Sequence, residues 1–158
     1  MHFETVFDVA QAGYKDWWFP SMGFIFVAIG AVLVFFPRFA NLIISVPPTA
    51  GWPLIIFASV WILGAFTFSY FPYVQARNAL HSGDHSVVKG HVANFIPMPR
   101  DGHAMESFEV GGEKFQYSDY RGTPGFNNTR SHGGPIDSGV YVRVTHKGNT
   151  ILRLEIAR

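Results

Sequence analysis

Residues 17–36, WWFPSMGFIFVAIGAVLVFF, and residues 52–73, WPLIIFASVWILGAFTFSYFPY, decide the fold of this 158-residue chain, because neither run contains a charged side chain. A helix rises about 1.5 Å per residue, so about 20 apolar residues match a bilayer core roughly 30 Å thick. A soluble domain of this size rarely holds two helices that are apolar on every face. The sequence therefore predicts a transmembrane helical hairpin over residues 17–73, with the lipid bilayer as a partner.

The residues that flank the two runs support this prediction. Amphipathic aromatic rings favour the headgroup level of a bilayer, and such rings lie at the ends of both runs: Trp17, Trp18, Trp52, Tyr70 and Tyr73. Basic residues are more frequent on one side, where Lys15, Arg77 and Lys89 outnumber Arg38 of the connecting segment. The positive-inside bias therefore predicts a multi-pass protein with cytoplasmic N- and C-termini.

Neither run contains an acid, a base or a histidine of the kind that forms a proton relay or an ion pathway. Small residues occur instead, among them Gly23, Gly30 and Gly64, and they allow helices to approach closely. Packing within the hairpin is their ordinary role, and self-association is the alternative. The hairpin is thus expected to be an anchor, and function is expected in the part of the chain that follows Tyr73.

That part of the chain has the pattern of a helical extension followed by a small β-domain. We expect residues 1–16 to be an N-terminal segment, residues 74–85 a helical extension that ends near Gly83, and residues 86–158 a soluble domain. Five alternating or β-branched segments predict strands at 86–96, 105–110, 113–118, 139–146 and 150–156. Five short strands are too few for two full sheets, so the expected fold is a five-stranded antiparallel barrel of the OB or SH3-like kind.

A connection of about twenty residues, 119–138, separates the third and fourth of these strands. Connections of that length in a compact domain are uncommon and tend to be functional or disordered. This one carries aromatic and basic side chains suited to binding a partner, and a passive loop is the alternative. The predicted partner-binding residues, including one from the preceding strand, are Tyr117, Tyr120, Arg121, Phe126, Arg130 and His132.

Chemical motifs are scarce. His103, Glu106, Asp119 and His132 are weak candidates for a metal site, since no tight ligand spacing brings them together. Hydrolase, P-loop and dinucleotide motifs are absent from the sequence, so we predict no catalytic residue and no cofactor. From Val74 onward the chain has ten basic and eight acidic residues, an excess of two, which is too small to predict nucleic-acid binding.

Four segments of the second half carry a resemblance to known proteins: GHVANFIPMPRDGHAMESFEV, FQYSDY, GFNNTRSHGGPIDSG and VRVTHKGNTILRLEI. Together they resemble small bacterial two-helix membrane proteins of unknown function with a C-terminal OB-like β-domain. They are also loosely similar to the membrane-anchored OB-domain proteins that accompany bacterial membrane proteases. This resemblance implies a location in the bacterial inner (plasma) membrane and supplies no catalytic residue.

Three functions remain open. The favoured hypothesis is a membrane-anchored, non-enzymatic docking or accessory module whose β-domain and 119–138 loop bind a protein partner or a second copy of the chain. An immunity-type protein that neutralises a membrane-acting toxin is the first alternative. A metal-dependent enzyme that uses His103, Glu106, Asp119 and His132 is the second.

Overall fold

The computed structural model describes residues 2–158 and divides them into two compact units. The helical unit is Lys15–Phe71, and the β unit joins the described residues up to Tyr14 to Pro72–Arg158. The helices are α1 (Val9–Ala12), α2 (Trp18–Phe35), α3 (Pro37–Ala40) and α4 (Gly51–Ser82). Helix α4 runs from the helical unit into the β unit, and Gly83 follows it with φ +77.

In the helical unit, α2 and the first part of α4 form an antiparallel pair that meets at glycines. A Cβ added at Gly23 would lie 2.4 Å from Cγ1 of Ile62, and one at Gly30 would lie 2.6 Å from Cγ1 of Ile55 and 2.9 Å from the carbonyl oxygen of Gly51. Only glycine allows the two backbones to come this close. Gly64, by contrast, faces open space, with nothing within 4 Å of an added Cβ.

The outer surface of this helical pair is apolar. Two helical segments, Trp18–Phe35 and Pro48–Ser82, are long and apolar enough to cross a membrane. Of the 18 most apolar consecutive residues in each segment, only 17% and 6% are buried inside the protein. The core helix of a soluble protein is mostly buried. Phe68, for example, is 82% exposed.

The β unit contains seven strands in two antiparallel sheets, which confirms a β-sheet region in the C-terminal part of the chain. One sheet has the order β1-β7-β6-β2 and the other the order β3-β4-β5. The two sheets do not close into a barrel, so the expected five-stranded OB- or SH3-like barrel is not confirmed. The strands are β1 (Phe3–Asp8), β2 (Ser86–His91), β3 (Ala93–Ile96), β4 (Glu106–Val110), β5 (Glu113–Tyr117), β6 (Tyr141–Lys147) and β7 (Thr150–Ala157).

Strand β1 is the first difference from the expected set of strands, since no strand was expected in residues 1–16. It pairs with β7 in a register that runs from Phe3↔Ala157 to Asp8↔Arg153. The Asp8 carboxylate caps α1 through the amide of Ala10 at 2.8 Å and accepts a hydrogen bond from Nε of Arg153 at 2.7 Å. The partner strand lies at the far end of the sequence, so no local pattern reveals this pairing.

The second difference is that the predicted 86–96 strand is split between the two sheets. Strand β2 pairs with β6, whereas β3 pairs with β4. Val92 lies between them, and its amide donates to the carbonyl of Val140 at 2.8 Å. Asn94 has φ +48, a value rare outside glycine, and lies in β3 where the register against β4 shifts. The segment therefore changes sheets at Val92, which is why two small sheets replace one curled sheet.

Alternation along the strands builds a single core in the β unit. The β4–β5 hairpin turns at Gly111 and Gly112, whose φ values of +57 and +87 suit a two-residue turn. Both sheets and the 119–138 loop supply side chains to this core. Its members are Val92, Phe108, Val110, Phe115, Tyr117, Phe126, Ile136, Val142, Val144, Ile151 and Leu154.

Candidate functional site

A buried carboxyl group organises the 119–138 loop. Glu106 lies on the same face of β4 as Phe108 and Val110, and all three are buried. Its carboxyl oxygens accept hydrogen bonds from the backbone amide of Met98 at 3.2 Å and from that of Arg130 at 3.1 and 3.0 Å. The hydroxyl of Tyr117 donates a further, short hydrogen bond to it.

These donors explain how a carboxyl group can occupy the core. Burial of a polar group is costly unless its hydrogen bonds are made, and Glu106 receives them from three separate segments of the chain. Burial, the hydrogen bond to Glu106 and the charge of Glu106 all raise the pKa of Tyr117, so its hydroxyl keeps its proton and remains a donor. Glu106 thereby fastens the loop, through the Arg130 amide, to β4 and β5.

The inner side of the loop belongs to the core. Phe126, Thr129 and Ile136 are buried, and the ring centroid of Phe126 lies 5.2 Å from that of Tyr117. Two of the six predicted partner-binding residues, Tyr117 and Phe126, are therefore core residues that offer a protein partner almost no surface. Strand alternation was the sequence signal that could have identified Tyr117 as internal, because Tyr117 lies two residues after the buried Phe115 on the same face of β5.

The other four predicted residues, Tyr120, Arg121, Arg130 and His132, are exposed. The ring of Tyr120, which is 54% exposed, is in contact with two histidine rings. Its ring centroid is 4.0 Å from that of His103, edge to face, and 6.0 Å from that of His132. We call His103, Tyr120 and His132 the histidine–tyrosine patch.

Polar contacts hold the patch in place. Nδ1 of His132 lies 2.5 Å from Oδ2 of Asp119, and the hydroxyl of Thr129 donates to the same oxygen at 2.9 Å. Arg130 forms an ion pair of 2.9 Å with Asp137 across the loop. These contacts hold the loop backbone in place, and its outer side chains are exposed.

The four weak metal candidates are only partly brought together. Asp119 and His132 are in contact. The ring of His103 packs against Tyr120, and Glu106 already accepts hydrogen bonds on both oxygens. Within residues 2–158, no group of three or more histidine, aspartate or glutamate side chains is placed to hold a metal ion. The geometry therefore gives the metal-dependent hypothesis no support.

No protein-family model, curated protein sequence or solved structure matches this chain. The resemblance to small bacterial two-helix membrane proteins stays a prediction, and the functional argument rests on the geometry of the described residues.

Proposed function

We propose that this protein is a membrane-anchored, non-enzymatic docking module. The helical unit serves as a transmembrane hairpin, and the β unit offers the histidine–tyrosine patch to a protein partner. The observation that carries this proposal is an exposed tyrosine, in edge-to-face contact with two exposed histidines, on a loop whose backbone is held to the core by Glu106.

Tyrosine is suited to this role. Tyrosine, tryptophan and arginine dominate the binding energy of protein interfaces, since they bury a large area and lose little side-chain freedom. Tyr120 already loses part of that freedom against His103. Arg130 is held by an ion pair to Asp137, and Nδ1 of His132 is held by its contact with Asp119. A preorganised surface costs less entropy to bind than a mobile loop does.

The proposal for the anchor rests on the apolar exterior of the helical unit. Large apolar side chains such as Leu63 and Phe68 point outward from α4 and contact little of the described protein. In water each would cost about 25 cal/mol per Å² of exposed apolar surface, and in hydrocarbon that cost disappears. We place this unit in the inner membrane of a bacterium.

Site-specific photo-crosslinking in native membranes tests the docking surface. A benzoylphenylalanine in place of Tyr120 should yield one adduct of defined mass, and the same probe at the exposed Glu113 should not. The mass of the adduct separates a different protein from a second copy of this chain. Adding His103→Ala and His132→Ala should abolish the adduct at position 120. Equal adducts at positions 120 and 113, or an adduct that survives the histidine changes, would overturn the assignment.

Cysteine labelling tests the proposed orientation, because the chain has no cysteine of its own. Thr49→Cys in the connector and Ser138→Cys in the loop both place a thiol at an exposed position. A membrane-impermeant maleimide added to intact spheroplasts should label position 49 and should label position 138 only after lysis. The opposite pattern would reverse the orientation.

A further inference from the structure

A second surface feature, separate from the histidine–tyrosine patch, lies where three segments of the β unit meet. It is a pocket of about 290 Å³. One wall is residues 116–118, at and just after the end of β5. Another is loop residues 121–123 with Phe126, and the third is residues 149–151, at the start of β7.

Hydrogen bonds between these segments fix the walls. The side chain of Asn149 bonds both backbone groups of Gln116, accepting from its amide at 3.0 Å and donating to its carbonyl at 2.8 Å. The amide of Phe126 donates to the carbonyl of Ile151 at 3.0 Å, and that of Arg121 to the carbonyl of Ser118 at 3.2 Å. The pocket is therefore formed before any ligand arrives, which lowers the entropy cost of binding.

The polar groups of the pocket favour negative charge. Arg121 is exposed, and within residues 2–158 its guanidinium has neither an ion pair nor a hydrogen bond. The hydroxyl of Thr123 accepts from the amide of Gly125 at 3.1 Å, which leaves its hydrogen free to donate, and Thr150 adds a second hydroxyl. No aspartate or glutamate is among the described residues that line the pocket.

The floor of the pocket is apolar. Tyr117, Phe126 and Ile151 line it and are themselves buried in the core. Its volume lies near the lower end of the range for ligand sites, about 300 to 1,000 Å³, so a nucleotide or a long peptide would be too large. A ligand that fits would carry a charged head for Arg121 and a small apolar body for this floor.

From these observations we infer that the β unit binds a small organic anion, a phosphate or carboxylate on a compact apolar group, with Arg121 as its main binding residue. A guanidinium forms two parallel hydrogen bonds to either kind of anion, and such charge-assisted bonds are stronger than neutral ones. The inference is independent of the proposed docking function, since Arg121 lies outside the histidine–tyrosine patch.

Calorimetric titration of the full chain, held in nanodiscs of zwitterionic lipid, tests this site with phenyl phosphate as the probe. We expect saturable binding that Arg121→Gln weakens about 10- to 100-fold, the range for loss of a charge-assisted hydrogen bond. Lys114→Gln is the matched control, since it removes an exposed positive charge outside the pocket. Neutral benzyl alcohol should not bind.

A second variant separates the pocket from a general charge effect. Thr150→Val removes a pocket hydroxyl without changing charge and should weaken phenyl phosphate about 3- to 10-fold, the range for one neutral hydrogen bond. Equal weakening by Arg121→Gln and Lys114→Gln, or no saturable binding up to about 10 mM, would overturn the inference.

The same titration identifies the source of the anion. In nanodiscs that contain phosphatidic acid, weaker apparent binding of phenyl phosphate would mean that a lipid headgroup occupies the site. Unchanged binding would mean that the site takes a soluble anion. Arg121→Gln leaves the histidine–tyrosine patch intact, so the adduct from the photo-crosslinking probe at position 120 should persist in this variant. The two experiments therefore distinguish failure of the anion site from failure of the docking surface.

Discussion

The helical unit and the β unit follow opposite rules for what they bury. In the helical unit, large apolar side chains face outward and glycines form the contact between helices. In the β unit, the apolar side chains are inside, and even a carboxyl group, Glu106, is buried with them. The difference is the one expected under the proposed function, in which hydrocarbon surrounds the helices and water surrounds the β unit with its hydrogen-bonded core. We call this the two-solvent account.

The largest effect is expected from the buried carboxyl group of the β unit. Glu106→Ala would leave the amides of Met98 and Arg130 and the hydroxyl of Tyr117 without their acceptor, at a cost of about 3 to 5 kcal/mol. Hydrogen exchange measured by mass spectrometry should show faster exchange in peptides that cover residues 106–117 and 126–136. Helix α2 should be unaffected.

Glu109→Ala is the control for this change, because Glu109 lies on the same strand but bonds only the exposed side chain of Asn94. We expect its effect to stay within about 0.5 kcal/mol. Equal hydrogen-exchange rates in the two variants would show that Glu106 does not hold the loop in place. They would contradict the account of a core stabilised by hydrogen bonds in the β unit.

The next largest effect is expected at the contact between α2 and α4. Gly30→Val would drive a side chain into Ile55 and into the backbone carbonyl of Gly51, and overpacking of this kind costs about 1 to 3 kcal/mol. All four tryptophans, Trp17, Trp18, Trp52 and Trp61, lie in the helical unit, so their fluorescence reports its thermal unfolding in detergent. Gly64→Val, which meets open space, should leave the transition unchanged. If both variants lowered it equally, the glycine contact would not be what joins the helices.

The smallest effect concerns the strand that ties the start of the chain to its end. Burial alone would raise the pKa of Asp8, but the hydrogen bonds from Arg153, Ala10 and Gln11, together with the charge of Arg153, hold it below the ordinary value of 3.8. A carboxyl group with a lowered pKa stabilises the folded state above 3.8, and this stability is lost as the pH falls through the lowered value.

Asp8→Asn can still cap α1 but cannot pair with Arg153 as a charge, so we expect a loss of about 1 kcal/mol at neutral pH and a weaker dependence on acid. Urea unfolding of the β unit, followed by tyrosine fluorescence between pH 6 and 3, measures both quantities. Parallel pH profiles for the variant and the wild type would show that Asp8 contributes nothing through its charge.

The sequence was most informative where structure depends on neighbours along the chain. The two apolar helices and the β4–β5 and β6–β7 hairpins are visible in composition, alternation and turn glycines. Strand β1 and the change of sheet at Val92 were missed, because both depend on partners far away in sequence.

The site was predictable only in part, for a related reason. Chemical type pointed to Tyr117 and Phe126 as partner-binding residues and to Glu106 as a metal candidate, but their burial depends on the packed sheet. Alternation in MESFEV places Glu106 on the face of Phe108, and it was the one local signal that this carboxyl group would be internal. The edge-to-face contacts of Tyr120 with His103 and His132 join residues from two separate loops, and no spacing in the sequence indicates them.

Two exposed aliphatic residues test the two-solvent account most directly. Leu63 in α4 is 70% exposed and Ile96 in β3 is 60% exposed, so a cysteine at either position is open to whatever surrounds it. In liposomes, a membrane-impermeant maleimide added to both sides of the bilayer should label Ile96→Cys and leave Leu63→Cys unlabelled until detergent and denaturant are added. Labelling of both cysteines at similar rates in intact liposomes would contradict the account, because it would place the helical unit in water.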